Sequence, residues 1–287
     1  MMRASPAYES LYVARSLAAA LDALAERGAD GAPLAGGTWI MRAPIRHEAH
    51  KPAYVALSGL SELKTIAISD RSVEIGAGAS HASIATALAD MPELAVLAHA
   101  AGHSANPAVR SVATVGGNLC TCAFAAADLV PALLCLNAEV EIAARDGAER
   151  MSVERFLIAR NTLEPGRLLT KIIIPRVPAR TAHARLPLRK AGDYPVAIVS
   201  LAVVLDEAGK VVTARVAVGS VETVARRWER LEASLSGDIF DPEEASRAAL
   251  RLSDDFTGRD AVEAPGWYRV SVLPALVRRA AAAALAT

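Results

Sequence analysis

Cysteine is scarce in this sequence, with 3 residues in a chain of 287. Cys120 and Cys122 are too close together along the chain to belong to an ordinary disulfide framework. So few thiols are typical of a protein in a reducing compartment, where a cysteine most often packs as a small hydrophobic residue. We therefore expect a cytoplasmic protein that does not depend on disulfides.

An excess of either charge is also missing, as is any long apolar run. Lysine plus arginine and aspartate plus glutamate number 31 each, so no basic surface is indicated and a nucleic-acid partner is disfavoured. Charged residues interrupt every apolar stretch before it reaches the roughly 18 residues of a membrane span. Ser5, Pro6 and Glu9 interrupt the N-terminus in a way that a signal peptide does not tolerate. We expect no membrane span.

The familiar nucleotide and catalytic motifs are absent. The chain has no Gly-x-x-x-x-Gly-Lys-Ser/Thr and no Gly-x-Gly-x-x-Gly, because Gly76-Ala77-Gly78 is not followed by a third glycine at the required place. His99 and His103 have helical spacing but lack a third metal ligand nearby, so capping or solvent exposure is the better interpretation. No Ser/His/Asp order indicates a nucleophile. The chain offers no catalytic acid, base or metal site of its own.

The sequence has the composition of an ordinary globular protein. Hydrophobic residues make up 53% of it, and the chain is long enough for two or three compact units. Ser16 is a suitable N-cap for a helix that ends at Gly28. Apolar spacing predicts further helices at 81–91, 93–101, 128–136, 225–235, 242–252 and 272–285. Strands are predicted at 33–35, 54–57, 63–68, 73–75, 139–143, 168–174, 196–205 and 211–218.

Two glycine pairs follow apolar residues, in Leu34-Ala35-Gly36-Gly37-Thr38 and in Thr114-Val115-Gly116-Gly117-Asn118. Glycine allows positive φ and close approach of the backbone to a ligand, so that successive amides can converge on an anion. Each pair taken alone is better explained as a tight turn. Together they predict a phosphate site that needs no lysine or arginine.

These motifs, in this order, resemble the FAD-binding medium subunit of molybdenum hydroxylases, the family of xanthine dehydrogenase and carbon monoxide dehydrogenase. Besides the two glycine pairs, the resemblance depends on Ile75-Gly76-Ala77-Gly78, Val109-Arg110, Asp128-Leu129-Val130-Pro131-Ala132-Leu133-Leu134 and Arg189-Lys190-Ala191-Gly192-Asp193-Tyr194-Pro195. It spans nearly the whole chain.

The resemblance implies an α+β fold: an FAD-binding fold of the vanillyl-alcohol oxidase-like type with two α/β subdomains, then a C-terminal α+β domain with an antiparallel sheet and helices. We expect the subdomains at residues 1–52 and 53–177 and the last domain at 178–287. Pro175 and Pro178 independently indicate a boundary at this point.

The resemblance also implies which residues bind FAD. The glycine motifs would hold the diphosphate and ribityl groups. Asp128 matches a carboxylate that contacts the cofactor, although a helix N-cap is a comparable explanation. Tyr194 matches an aromatic that lies against the isoalloxazine ring, or else anchors the last domain. The expected cofactor residues are Leu34, Ala35, Gly36, Gly37, Thr38, Trp39, Thr114, Val115, Gly116, Gly117, Asn118, Asp128, Leu169, Lys190 and Tyr194.

Three features depart from the family pattern. Arg185 stands where many relatives have a lysine, and Trp39 replaces a smaller or acidic residue. The loop from Cys120 to Phe124 differs in length and lacks a common proline. The sequence leaves the roles of Arg185 and Trp39 open.

The implied function is electron transfer through FAD, from [2Fe–2S] clusters to an external acceptor such as NAD⁺, oxygen or a quinone. Three cysteines cannot hold two such clusters, so a small iron–sulfur subunit and a large molybdopterin subunit are expected partners, as a dimer of heterotrimers. The alternatives are a stand-alone flavin oxidase or reductase of the same superfamily and a flavin-less scaffold subunit.

Overall fold

A computed structural model describes residues 9–188 and 194–286, and in these residues the strands form three sheets. The first sheet is parallel, in the order β1-β3-β2, and consists of β1 (Leu11–Val13), β2 (Gly31–Leu34) and β3 (Ala53–Ala56). Helix α1 (Leu17–Arg27) begins at Ser16, whose hydroxyl accepts the amide of Ala19, and ends at Gly28 with φ 54°. The predicted N-terminal helix is confirmed.

The second sheet is antiparallel and has the strand order β4-β5-β8-β6-β7. Its strands are β4 (Ile66–Ile68), β5 (Ser72–Gly76), β6 (Glu139–Ala144), β7 (Gly147–Ser152) and β8 (Leu168–Pro175). The helices of this part are α2 (His81–Ala87), α3 (Ala95–His103), α4 (Pro107–Arg110), α5 (Val115–Cys120), α6 (Leu129–Cys135) and α7 (Val153–Ala159). Every residue of α6 is buried, because this helix packs against α3, α5 and α7 and against the C-terminal strands.

The third sheet is antiparallel, in the order β12-β11-β10-β9. It contains β9 (Arg180–Pro187), β10 (Pro195–Leu205), β11 (Val211–Gly219) and β12 (Arg226–Arg227). Helices α8 (Glu229–Leu235), α9 (Pro242–Arg251), α10 (Gly266–Ser271) and α11 (Leu273–Ala286) follow. Asp241 caps α9 by accepting two amides, as the sequence predicted.

Short 3₁₀ segments connect these elements at Gly28–Asp30, Ile40–Arg46, Ser61–Lys64, Pro92–Leu94 and Ser253–Asp255. Within residues 9–188 and 194–286, no helix is long and apolar enough to cross a membrane.

The structure corrects several sequence expectations. The second glycine pair lies inside α5 and not in a loop, because Thr114 caps the helix before it. The helix predicted from residue 225 begins at Glu229, since residues 226 and 227 pair with β11 as a short strand. The first sheet extends beyond residue 52, because β3 is its central strand. The division at 52 and 177 otherwise stays a prediction.

Candidate functional site

A cavity of about 590 Å³ lies where the first sheet, α2, α5 and the start of β10 meet. This volume is within the range of roughly 300–1,000 Å³ that is typical of ligand sites. The wall contains most of the residues predicted from the sequence: Ala35, Gly36, Gly37, Thr38, Trp39, Thr114, Gly116, Gly117, Asn118, Asp128, Leu169 and Tyr194. Leu34 and Val115 precede wall residues but are not part of the wall, and Lys190 lies outside the described residues.

The loop after β2 has unused main-chain donors. The amides of residues 35–38 donate no hydrogen bond within the described part of the chain. Gly37 has φ 69°, a left-handed conformation that glycine adopts at little cost. A side chain on Gly36 would overlap the carbonyl oxygen of Val112, so this glycine lets the loop lie against the segment before α5. Unpaired amides in a glycine loop are well suited to bind an anion.

The second glycine motif differs, because its amides already have protein acceptors. The amide of Val115 donates to Ala79 O (3.1 Å), Gly116 to Ala77 O (2.8 Å), Gly117 to Thr114 Oγ1 (3.1 Å) and Asn118 to Thr114 O (2.9 Å). The sequence predicted free amides here, and this prediction is wrong. The glycine at 116 serves close packing instead, since a Cβ there would lie 2.7 Å from Ala77 O.

Asp128 stands at the N-terminus of α6 but does not cap it, because its side chain accepts no helix amide. It is 2% exposed and its Oδ1 lies 2.9 Å from Nε of Arg185 and 3.7 Å from Nε2 of His183. A buried carboxylate needs such partners to offset the loss of hydration. The structure therefore excludes the N-cap explanation. It also gives Arg185 a role, because its guanidinium in β9 forms an ion pair with Asp128 at the start of α6.

An aromatic cluster forms another part of the wall. Phe124 lies between Trp39 and Tyr194, with ring centroids 4.7 Å and 5.1 Å away respectively. Arg46 stacks over the Trp39 ring at 3.9 Å, and Arg42 donates to the Tyr194 hydroxyl at 3.1 Å. Trp39 thus faces the cavity and not the core. The loop that departs from the family pattern supplies Phe124, so the unusual Trp39 and the altered loop contact each other.

His81 is a wall residue that no sequence pattern singled out. It is the first residue of α2, 4% exposed, and its Nδ1 lies 2.7 Å from the Ser104 hydroxyl. Its Nε2, like Oδ1 of Asn118, has no hydrogen-bond partner among the described residues. Burial lowers the pKa of His81 to about 4, against the opposing attraction of the Asp128 carboxylate. The ring is therefore neutral at pH 7.

Leu169, in β8, contributes to the wall while remaining mostly buried in the second sheet. Cys120 and Cys122 also line the cavity. The described residues contain no group of three or more His, Cys, Asp or Glu side chains that could hold a metal ion. The cavity thus combines free amide donors, unpartnered acceptors and aromatic surface, the set of groups that a ligand with phosphates, hydroxyls and a flat ring would require.

Two family models match the chain. One, described as the FAD binding domain in molybdopterin dehydrogenase, matches residues 6–177. The other, described as the CO dehydrogenase flavoprotein C-terminal domain, matches residues 183–284.

Individual proteins are similar over nearly the full length. The chain is 29% identical over 276 residues to 6-hydroxypseudooxynicotine dehydrogenase complex subunit alpha of Paenarthrobacter nicotinovorans, covering 95% of this chain and 93% of that one. It is 27% identical over 270 residues to the carbon monoxide dehydrogenase medium chain of Afipia carboxidovorans, covering 93% of each. A solved structure of reconstituted CO dehydrogenase from Oligotropha carboxidovorans matches with a TM-score of 0.89 at 26% identity, over 98% of this chain and 99% of that chain. The predicted α+β fold is confirmed.

Proposed function

The chain belongs to the family of FAD-binding domains of molybdopterin dehydrogenases. From this membership we propose that it binds FAD in the 590 Å³ cavity. The flavin would receive electrons from [2Fe–2S] clusters on a partner subunit and pass them to an external acceptor. The observation that carries the proposal is the loop at 35–38, whose four amides are unpaired beside an aromatic wall. Bound FAD would supply the capacity to exchange electrons singly with an iron–sulfur cluster and in pairs with an acceptor.

Each part of the wall has a distinct task in this proposal. The amides of residues 35–38 bind the diphosphate, since they are the unpaired donors. The segment 114–118 would hold the ribityl chain, because Thr114, Gly116, Gly117 and Asn118 line the cavity. Asp128, oriented by Arg185, accepts hydrogen bonds from the cofactor. Trp39 and Tyr194 shield the ring system.

The remaining predicted contacts come from the resemblance. Leu169 would offer its main chain to the flavin, and Leu34 and Val115 would act through the loop and helix that they support. Lys190 keeps its predicted role as a cofactor contact, four residues before Tyr194 along the chain.

The proposed partners are a small iron–sulfur subunit and a large molybdopterin subunit, arranged as a dimer of heterotrimers in the cytoplasm. The names of the relatives support partner subunits: one is named a medium chain and another a subunit of a dehydrogenase complex. The chain's own composition also supports it, because 3 cysteines are fewer than the four that a single [2Fe–2S] cluster requires.

Purification from the native source tests the proposal. We expect a yellow complex whose flavin is released by acid or heat as FAD, together with two further subunits that contain iron, sulfur and molybdenum. A colourless folded complex would point to a scaffold subunit. Flavin in a chain that purifies alone and oxidises an organic substrate would point to a stand-alone oxidase, and covalently attached flavin would contradict the noncovalent site proposed here.

A further inference from the structure

Strand β9 places two polar side chains against a carboxylate of the cavity wall. Successive side chains of a strand point to opposite faces, so His183 and Arg185 share one face of β9. The opposite face of the strand packs into the C-terminal core. Both polar side chains reach Asp128 at the start of α6, and Asp128 lines the cavity. The C-terminal sheet therefore contributes to the site through β9.

Both side chains approach the same oxygen of Asp128. Nε of Arg185 donates to Oδ1 at 2.9 Å, and Nε2 of His183 lies 3.7 Å from the same atom, an electrostatic contact that is longer than a hydrogen bond. Within residues 9–188 and 194–286, Oδ2 accepts no hydrogen bond, and the side chain caps no amide of α6. One carboxylate oxygen is therefore held by β9, and the other remains available to a ligand in the cavity.

The ring of His183 is fixed from the other side by strand β10. His183 pairs in register with Ser200, and its Nδ1 lies 2.9 Å from the Ser200 hydroxyl. The imidazole side chain is 2% exposed, and Ser200 is fully buried. Because the ring is enclosed and hydrogen-bonded at Nδ1, its other edge, with Nε2, stays directed at Asp128.

The carboxylate determines which state of the ring is favoured. A lone pair on Nε2 would lie against the electron-rich Oδ1 of Asp128 in a buried site, whereas a proton on Nε2 is attracted to it. With that proton in place, Nδ1 of the neutral ring accepts from the Ser200 hydroxyl, which makes no other hydrogen bond in the described part of the chain. A doubly protonated ring also carries Nε2–H. In either state His183 presents a donor to Asp128.

We propose that His183 is a positioning residue: together with Arg185 it holds Oδ1 of Asp128 and thereby directs Oδ2 towards a hydrogen-bond donor of the cofactor. This inference rests on the proposed function, in which FAD binds in the cavity. Among the described residues His183 is not part of the cavity wall, so it acts through Asp128. A carboxylate that is oriented in advance loses less conformational freedom when the cofactor binds, and binding is correspondingly tighter.

A double-mutant cycle between His183 and Asp128 tests this role. Flavin fluorescence measures the Kd of FAD for the full-length apoproteins of the wild type, His183→Leu, Asp128→Asn and the double variant. In the wild-type background we expect His183→Leu to raise Kd about tenfold, as for the loss of an oriented hydrogen bond to a charged group. In the Asp128→Asn background the same substitution should change Kd less than about threefold, because the carboxylate that His183 orients is gone.

Two further variants separate orientation of the carboxylate from stability of the fold. His183→Gln keeps a donor near the position of Nε2 and should bind FAD within about threefold of the wild type. Thr181→Val is the matched control on the same face of β9. The Thr181 hydroxyl donates to Pro92 O at 2.9 Å and accepts the amide of Val96 at 3.1 Å, at the contact between β9 and the start of α3. This control should lower the temperature of thermal unfolding but leave Kd unchanged.

Nitrogen-15 NMR of the wild-type apoprotein keeps the inference testable if His183→Leu does not fold. His183 should carry a proton on Nε2, and the Nε2 resonance should move in Asp128→Asn. A neutral ring with its only proton on Nδ1 would overturn the positioning role. So would a cycle in which His183→Leu weakens binding equally in both backgrounds, or leaves the wild-type Kd unchanged. A wild-type protein that binds no FAD would instead refute the proposed function.

Discussion

Alanine substitutions at Gly37 and Gly117 form a matched pair that asks which glycine motif binds the diphosphate. At Gly37 the added Cβ meets nothing closer than 3.6 Å, so its cost arises from the backbone, which has φ 69°. A left-handed conformation costs an L-residue roughly 1–2 kcal/mol. At Gly117 the Cβ would lie 3.0 Å from Thr114 Oγ1, the atom that caps α5. Weakening such a cap costs about 1 kcal/mol, which the better helix propensity of alanine largely offsets.

The two substitutions should therefore destabilise folding by similarly small amounts but affect flavin binding very differently. If Gly37→Ala relaxes to negative φ, the loop amides turn away and at least one hydrogen bond to a charged phosphate is lost. Such a bond contributes about 1.5–3 kcal/mol, which corresponds to a Kd roughly 10- to 150-fold higher. The amide of Gly117 already donates to Thr114, so Gly117→Ala should raise Kd less than about threefold.

Fluorescence titration of FAD with each apoprotein measures Kd, and thermal unfolding without FAD measures stability. The comparison is valid when both variants unfold near the wild-type temperature. If Gly117→Ala weakened binding as much as Gly37→Ala, the assignment of the diphosphate to the first loop would be wrong. The same conclusion would follow if Gly37→Ala bound FAD like the wild type.

Three further predictions concern folding, pH and division of labour. Gly36→Ala should lower the free energy of unfolding by about 1–3 kcal/mol or more in urea titrations, because the new methyl group overlaps the Val112 carbonyl; a wild-type value would contradict the close approach. Burial lowers the pKa of His81 to about 4 in the folded protein. Below about pH 6.5 the unfolded chain therefore binds more protons than the folded chain does, and the free energy of unfolding should decrease by up to about 3 kcal/mol towards pH 4. Urea titrations at pH 7 and pH 5 should show a smaller decrease for His81→Gln, and an equal decrease would assign the effect to other groups. The isolated chain should not oxidise an organic substrate, whereas a complex stripped of FAD should still show anaerobic bleaching of its iron–sulfur clusters by substrate; turnover by the isolated chain at the rate of the assembly would refute the proposed division.

Local patterns were enough to predict the elements whose partners lie close in sequence. Ser16 and Gly28 bound α1 because a cap and a left-handed stop act within one helical turn. The long apolar runs of β10 and β11 pair as an antiparallel hairpin around a short turn. Strand β9 and the two-residue β12 escaped prediction, because their pairing depends on neighbours in the third sheet more than on their own composition.

The sequence by itself determined the family and a set of site residues most of which line the cavity, since motif order and glycine placement are written along the chain. Only the tertiary structure decided what each of them does. The two glycine pairs look alike in sequence, yet the amides of one are free and those of the other are used by Thr114, Ala77 and Ala79. Asp128 could equally have capped α6 until Arg185 was found beside it. His81 belongs to no motif. Whether its Nε2 has a hydrogen-bond partner depends on residues that are distant in sequence and surround the ring only in the folded protein.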